Sequence, residues 1–200
     1  MGANSAYVTA AEYFTATGKT DTAKEVEITS DLIAISRYLE GKMGRFFTKD
    51  ADDVERIYIP EFDAAGIWVD DMSASPSSIK IDIRNNGTYE KELSANDYEL
   101  HPLNAPKGPE PHPFTRIELT PWGAVRHFQK GERVLISAKW GWPDVPESIK
   151  RATIHLTAIL RLETPRATRR IAELGDVMEA SPDAMNIVRQ LTDQYKVWRV

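Results

Sequence analysis

Two hundred residues, 42% of them apolar, are enough for one good core or a core with a satellite lobe. A net charge of −5 lacks the basic excess of a dedicated duplex-DNA binder, and a chain with no cysteine can form neither disulfides nor thiolate metal sites. No stretch approaches the roughly 18 consecutive apolar residues of a membrane span, and no basic segment followed by an apolar run opens the chain, so a soluble protein made in a reducing cytoplasm is expected. The charge is uneven. Ser148–Val200 holds 9 Lys+Arg against 6 Asp+Glu, or +3, which leaves 16 against 24, or −8, for the rest.

Thr9-Ala10-Ala11-Glu12 is a capping box, with Val8 and Tyr13 placed to staple it, and the short helix it opens should stop at Gly18. Thr22-Ala23-Lys24-Glu25 repeats the signature ahead of a longer helix. Its stripe runs through Ile28, Leu32, Ile35, Leu39 and Met43, and Gly41 and Gly44 should end it.

From Val54 the apolar period falls to two. Ile57 with Ile59 and Ile67-Trp68-Val69 predict short strands. Ile79, Ile81 and Ile83 alternate with charged residues as one half-buried strand. Asn85-Asn86-Gly87 signals a hairpin, with Tyr89 to Leu93 pairing back, and Tyr98-Leu100 and Ile117-Leu119 add two more strands. Between these last two, residues 101–113 carry five prolines and no apolar period. They read as a long surface loop, expected to order only on assembly, as are residues 164–180.

In Arg133–Ala138 one face of a strand is Val134, Ile136 and Ala138. Trp140-Gly141-Trp142-Pro143 interrupts it as an aromatic corner expected to pack in the core. Asp144, Pro146 and Glu147 then open a central helix with apolar positions at Ile149, Ala152, Leu156, Ile159 and Leu160. Thr164-Pro165 ends it. Ser181-Pro182-Asp183 starts a last helix with a stripe of Ala184, Ile187, Val188, Leu191 and Tyr195. The fold class is therefore α+β: a helical scaffold of two N-terminal helices, a central helix and a C-terminal helix, with an inserted antiparallel β lobe. One domain, 1–200, divides into N-terminal helices 1–53, a β-rich insertion 54–142, and helices with a tail at 143–200.

Catalytic signals are weak. His101, His112, His127 and His155 lack the spacing of a zinc helix, no glycine pattern cradles phosphate, and no nucleophile elbow occurs. A metal-dependent hydrolase or nuclease using Asp70, Asp82 and Glu118 is the alternative from another class. Asp70 and Asp71 are adjacent, and neighbours on a regular strand point to opposite faces, so solvated charges are the better reading. Arg166, Arg169 and Arg170 either complement a helix C-terminus or meet phosphates or an acidic partner. Trp198, between Val197 and Arg199-Val200, is either an anchor for another chain or packs on the chain's own helices.

The motifs ISRYLEGKMGRFF, Trp140-Gly141-Trp142 followed by Val145-Pro146 and Ile149-Lys150-Arg151-Ala152, and the segment Ser181 to Tyr195 resemble the head–tail connector (adaptor) proteins of long-tailed bacteriophages. The likeness covers both helical ends and least of all the β lobe. Ser181-Pro182-Asp183 departs from the pattern by placing its acid after the proline. The resemblance implies a structural virion protein of the neck, not an enzyme, with no cofactor. It implies a twelve-fold homo-oligomeric ring joining the portal protein to a stopper or tail-completion protein, with DNA in transient contact as it passes and no membrane involved. Ile187, Leu191, Tyr195, Trp198 and Arg199 would dock on the portal, and Arg166, Arg169 and Arg170 would face the channel or an acidic partner. A stopper or tail-completion role in the same neck is the nearer alternative; such proteins are mostly β, and the N-terminal helices count against it.

Overall fold

The structure, a computed structural model, describes residues 5–19, 22–107, 110–163 and 182–196. Its α+β chain forms two compact units: Thr48–Asp144, which is β, and Ala3–Phe47 with Val145–Val200, which is helical. The β unit is thus spliced into the helical one. No helix among the described residues is long and apolar enough to cross a membrane.

In the helical unit, α1 (Ala10–Thr17) starts at the predicted capping box. Thr9 Oγ1 accepts from the Glu12 amide, Glu12 accepts from the Thr9 amide, and Gly18 closes the helix in the left-handed region. The second box does not cap α2 (Glu25–Met43). Thr22–Lys24 forms a 3-10 turn, and Lys24 takes the N-cap position without a side-chain bond. Gly41 stays inside the helix, and Gly44 alone ends it at φ 65°. The predicted stripe from Ile28 to Met43 is entirely buried.

α3 (Glu147–Glu163) buries Ile149, Ala152, Leu156 and Leu160 in the same unit. Arg161, only 8% exposed, pairs with Asp31 and Glu27 of α2, and Lys150 pairs with Glu12 of α1. The last helix, α4 (Pro182–Thr192), begins at the predicted proline and runs into a 3-10 turn ending at Tyr195. Among its described side chains Val188, Thr192 and Tyr195 are buried, while Ile187 is 47% exposed and so lies off the inward stripe that was predicted to include it. Tyr195 packs edge-on to Phe47, which packs on Tyr7, and the Tyr195 hydroxyl bonds Ser148. Tyr7 donates its hydroxyl to the buried Glu40 and its amide to Ser36, holding the segment before α1 against α2.

The β unit is two antiparallel sheets around one core. Strands β1 (Val54–Tyr58), β7 (Arg133–Ala138), β3 (Ser78–Asp82) and β4 (Lys91–Glu92) form the first sheet, in that order. Strands β2 (Gly66–Met72), β6 (Phe114–Leu119) and β5 (Tyr98–His101) form the second. Ile79, Ile81, Val134 and Ile136 of one sheet share a core with Ile67 and Ile117 of the other. Three readings of the lobe change. Ile57 and Ile59 point to solvent, because Ile57 pairs with the outward Leu135, so Arg56 and Tyr58 take the inward places. Ile83 lies beyond β3 and is half exposed, at the start of a turn in which Asn85 and Gly87 adopt positive φ. The proline-rich segment, described except for 108–109, is folded. Ala105 is buried and accepts from the His112 amide, and the His112 ring meets Trp142.

The aromatic corner is core, as predicted: Trp140 and Trp142 are buried, Trp140 Nε1 donates to the Val54 carbonyl, and Trp142 Nε1 donates to Asp71. Gly141 between them has φ +105°, and a Cβ there would lie 2.0 Å from the Thr48 carbonyl oxygen. Asp50 donates its amide to the Trp140 carbonyl, and Lys49 donates its ammonium to the Pro143 carbonyl. The two ends of the β unit thus lie side by side.

Gly141→Ala combines a backbone clash with a forbidden φ and should cost at least about 3 kcal/mol, seen as a large fall in melting temperature. Glu12 titrates below the ordinary glutamate range, mainly because it accepts from the Thr9 amide, then from the Thr9 hydroxyl, with Lys150 adding to this. Its contribution is complete above the unfolded value and is lost as pH falls through the lowered folded value. The stability gap between the protein and Glu12→Gln, measured by urea unfolding, should therefore narrow in acid.

Candidate interaction surfaces

The outer face of the β2–β6–β5 sheet is built by cross-strand register. Trp68, Arg116 and His101 form one row, and Gly66, Glu118 and Glu99 the next. Gly66 has a packing role: a Cβ there would lie 2.9 Å from Arg116 Nε. Its absence lets the guanidinium lie flat on the sheet, 5.5 Å from the Trp68 ring centre and 3.2 Å from the Glu118 carboxylate. His101 Nε2 stands 3.7 Å from Glu118 and 4.0 Å from Glu99, with no hydrogen-bond partner.

Trp68 is 72% exposed. Two further exposed aromatics leave one end of the same sheet, the end where Gly66 pairs with Glu118 and Tyr98 with Leu119. Phe62 lies in the loop entering β2 and Trp122 in the loop leaving β6, 69% and 75% exposed. Sequence reading placed a strand at Ile67-Trp68-Val69 but did not separate Trp68 from its inward neighbours. The signal was present in the alternation of β6, where Arg116 and Glu118 flank the apolar Ile117.

The carboxylates considered as metal ligands go to separate tasks. Asp70 accepts from Arg56 and from the Tyr58 hydroxyl, closing the side between β1 and β2, with Arg56 stacked 4.5 Å from the Trp140 ring centre. A bulge in β2 between Trp68 and Met72 breaks the simple alternation and lets Asp71 reach Trp142. Asp82 is fully buried and accepts from the Asn86 and Gly87 amides of its turn, while Glu118 pairs with Arg116. Among the described residues no group of three His, Cys, Asp or Glu could hold a metal ion. Burial, before any other cause, raises the Glu40 carboxyl; the bond from Tyr7 and the charge of Arg37 oppose it. The same burial, with Glu40 beside it, pushes the Tyr7 phenol far up. This cluster fastens the segment before α1 to α2.

Of the residues predicted to dock, Ile187 is exposed, Leu191 half-buried and Tyr195 buried. Trp198, Arg199, Arg166, Arg169 and Arg170 lie outside the described residues.

No protein-family model matches the chain, and no curated protein matches it. Among solved structures it is similar to a chain in the neck of an empty gene transfer agent particle, computed with C6 symmetry. The identity is 16%, the TM-score 0.57, and the match covers 97% of this chain and 91% of the other. A chain of the virion of the native gene transfer agent particle matches at the same identity and coverage with a TM-score of 0.49. The two-unit α+β fold is therefore shared along nearly the whole chain with a neck component.

Exposed and buried tryptophans should separate cleanly. Trp68→Ala and Trp122→Ala should each shift stability by no more than about 0.5 kcal/mol, while Trp140→Ala should cost about 3–5 kcal/mol, all read from denaturant unfolding.

Proposed function

We propose that this protein is a structural, non-enzymatic component of the neck of a phage-like particle. Its work there is that of an adaptor: a homo-oligomeric ring, twelve-fold, that sits between the portal protein and the stopper or tail-completion protein and lets DNA through. The observation that carries this reading is the fold likeness, over 97% of the chain, to a chain from the neck of a gene transfer agent particle. The motif resemblance at the helical ends points the same way from sequence. The C6 symmetry with which that neck was computed is one that rings of six and of twelve both satisfy.

Two physical features fit the role. The β unit, Thr48–Asp144, carries 11 Lys+Arg against 17 Asp+Glu, a net −6, so the remaining 14 against 13 leave only +1 elsewhere. An acidic lobe beside a DNA path repels phosphates that would otherwise brake passage. The C-terminal helix offers Ile187 and Leu191 as i, i+4 anchors, followed by a tail holding Trp198 and Arg199, for a groove on the portal. Tyr195, held by Ser148 and Phe47, is the root from which that tail leaves. The chain acts as one adaptor domain with the β lobe as its insertion, assembled into virions after synthesis in the host cytoplasm.

Size-exclusion chromatography with light scattering, on the protein alone and mixed with purified portal rings, tests the reading. A stoichiometric ring complex is expected. Removal of residues 197–200 should leave folding intact and abolish co-elution. A protein that stays monomeric and ignores portal rings would overturn the adaptor role.

A further inference from the structure

Two charge features of this chain bear on how copies of it could meet. One is the outer face of β2–β6–β5, with its loops, where Trp68, Phe62 and Trp122 stand exposed among carboxylates. The other is the cationic C-terminal quarter, 9 Lys+Arg against 6 Asp+Glu in Ser148–Val200, with three arginines between 166 and 170. On the sheet face, Arg116 is held by Glu118 and stacked on Trp68, so its charge is already answered. Glu99, about half exposed, stands 4.0 Å from His101, and Glu61 next to Phe62 is exposed. What the face offers outward is an aromatic centre with Glu61 and Glu99 at its edge, beside which the loop after β6 also exposes Arg126 and Lys130.

That combination is how association hot spots are built: a large aromatic side chain and an arginine, fixed in advance, within a polar rim. Trp68 meets the requirement for fixing, since Gly66 lets the Arg116 guanidinium lie against one side of the indole and Glu118 holds it there. The rim selects a cationic occupant, because like charge against it would cost several kcal/mol and opposite charge steers the encounter.

We propose that the occupant is a second copy of this chain, which lays its cationic C-terminal quarter against the Trp68 face of its neighbour. The inference rests on the ring reading above and gives it a contact. The two surfaces are different, so the pairing is heterologous, and repeated heterologous contacts close into a ring when the rotation allows. It also accounts for the opposite charges of the β unit and the C-terminal quarter within one chain.

Charge inversion in the full-length protein tests this, read by light scattering alone and on purified portal rings. Glu61→Lys with Glu99→Lys reverses the rim. Arg166→Glu, Arg169→Glu and Arg170→Glu reverse the quarter. Each set should abolish self-association. Mixing the two variants should restore oligomers in which the two alternate, since the unaltered pair of surfaces and the doubly inverted pair are both complementary. All five changes in one chain should restore oligomers, because both signs are inverted together. Trp68→Ala should weaken association about thirtyfold without loss of stability, and association of the unaltered protein should fall as salt rises.

Rings that survive either charge set would overturn the inference while leaving the neck reading intact. Self-association lost in the five-change chain would do the same, provided that its circular dichroism and melting temperature match the parent. No association of the unaltered protein, alone or on portal, would overturn both. Pairing that follows the charge rules but never closes into a ring would keep this contact and remove the ring reading.

Discussion

The β unit depends on one close approach of main chain to main chain. Gly141 lies so near Thr48 that a single added carbon would meet the Thr48 carbonyl at 2.0 Å. Around that point the Asp50 amide bonds the Trp140 carbonyl, and Lys49 bonds the Pro143 carbonyl. The lobe is a long insertion in a helical unit, and an insertion costs least in loop entropy when its two ends are pinned together. Trp140 and Trp142 flank the contact from within the core and give their indole N–H groups to Val54 and Asp71, which ties both sheets to the corner. Burying two tryptophans with their polar atoms satisfied is what makes so tight an approach sustainable.

From that corner outward, the sheets share one core and leave two outer faces of different character. The face of β1–β7–β3–β4 shows Ile57 beside Leu135 and Lys80 in register. The face of β2–β6–β5 shows Trp68 over Arg116 with glutamates behind. Exposed large side chains on a soluble unit mark surfaces meant for other molecules when they gather rather than scatter. Here three exposed aromatics gather on one sheet and the loops at its end. The carboxylates that a catalytic reading would need are instead occupied by a turn, an indole, an arginine–tyrosine pair and a cross-strand arginine. Those commitments give each of these carboxylates a structural task within the lobe.

The helical unit solves a different problem. Its N-terminal segment is fastened by Tyr7 to Ser36 and Glu40, and α3 is fastened to α2 by Arg161 between Asp31 and Glu27. Removing one partner from a pair as little exposed as Arg161 and Asp31 strands a charge, so such contacts fix geometry more than they add net stability. With Tyr195 locked to Phe47 and Ser148, the end of the last helix has a firm root, and Ile187 is left facing solvent.

Local pattern determined the four helices, the stripe of α2, the Thr9–Glu12 cap, the inward face of β7 and the buried aromatic corner. In each case neighbouring residues alone decide the outcome, through a 3.6 or 2.0 period or a cap within one turn. Tertiary structure alone decided which way Ile57, Ile59 and Trp68 face, because a strand's in–out sense depends on the register of a partner far away in sequence. It also decided that Lys24 rather than Thr22 sits at the start of α2, and that the proline-rich loop folds around Ala105 and His112. The Trp68–Arg116–Glu118 arrangement was invisible for the same reason: β2 and β6 lie more than forty residues apart, and only their pairing, with a glycine beneath the arginine, brings those side chains onto one surface.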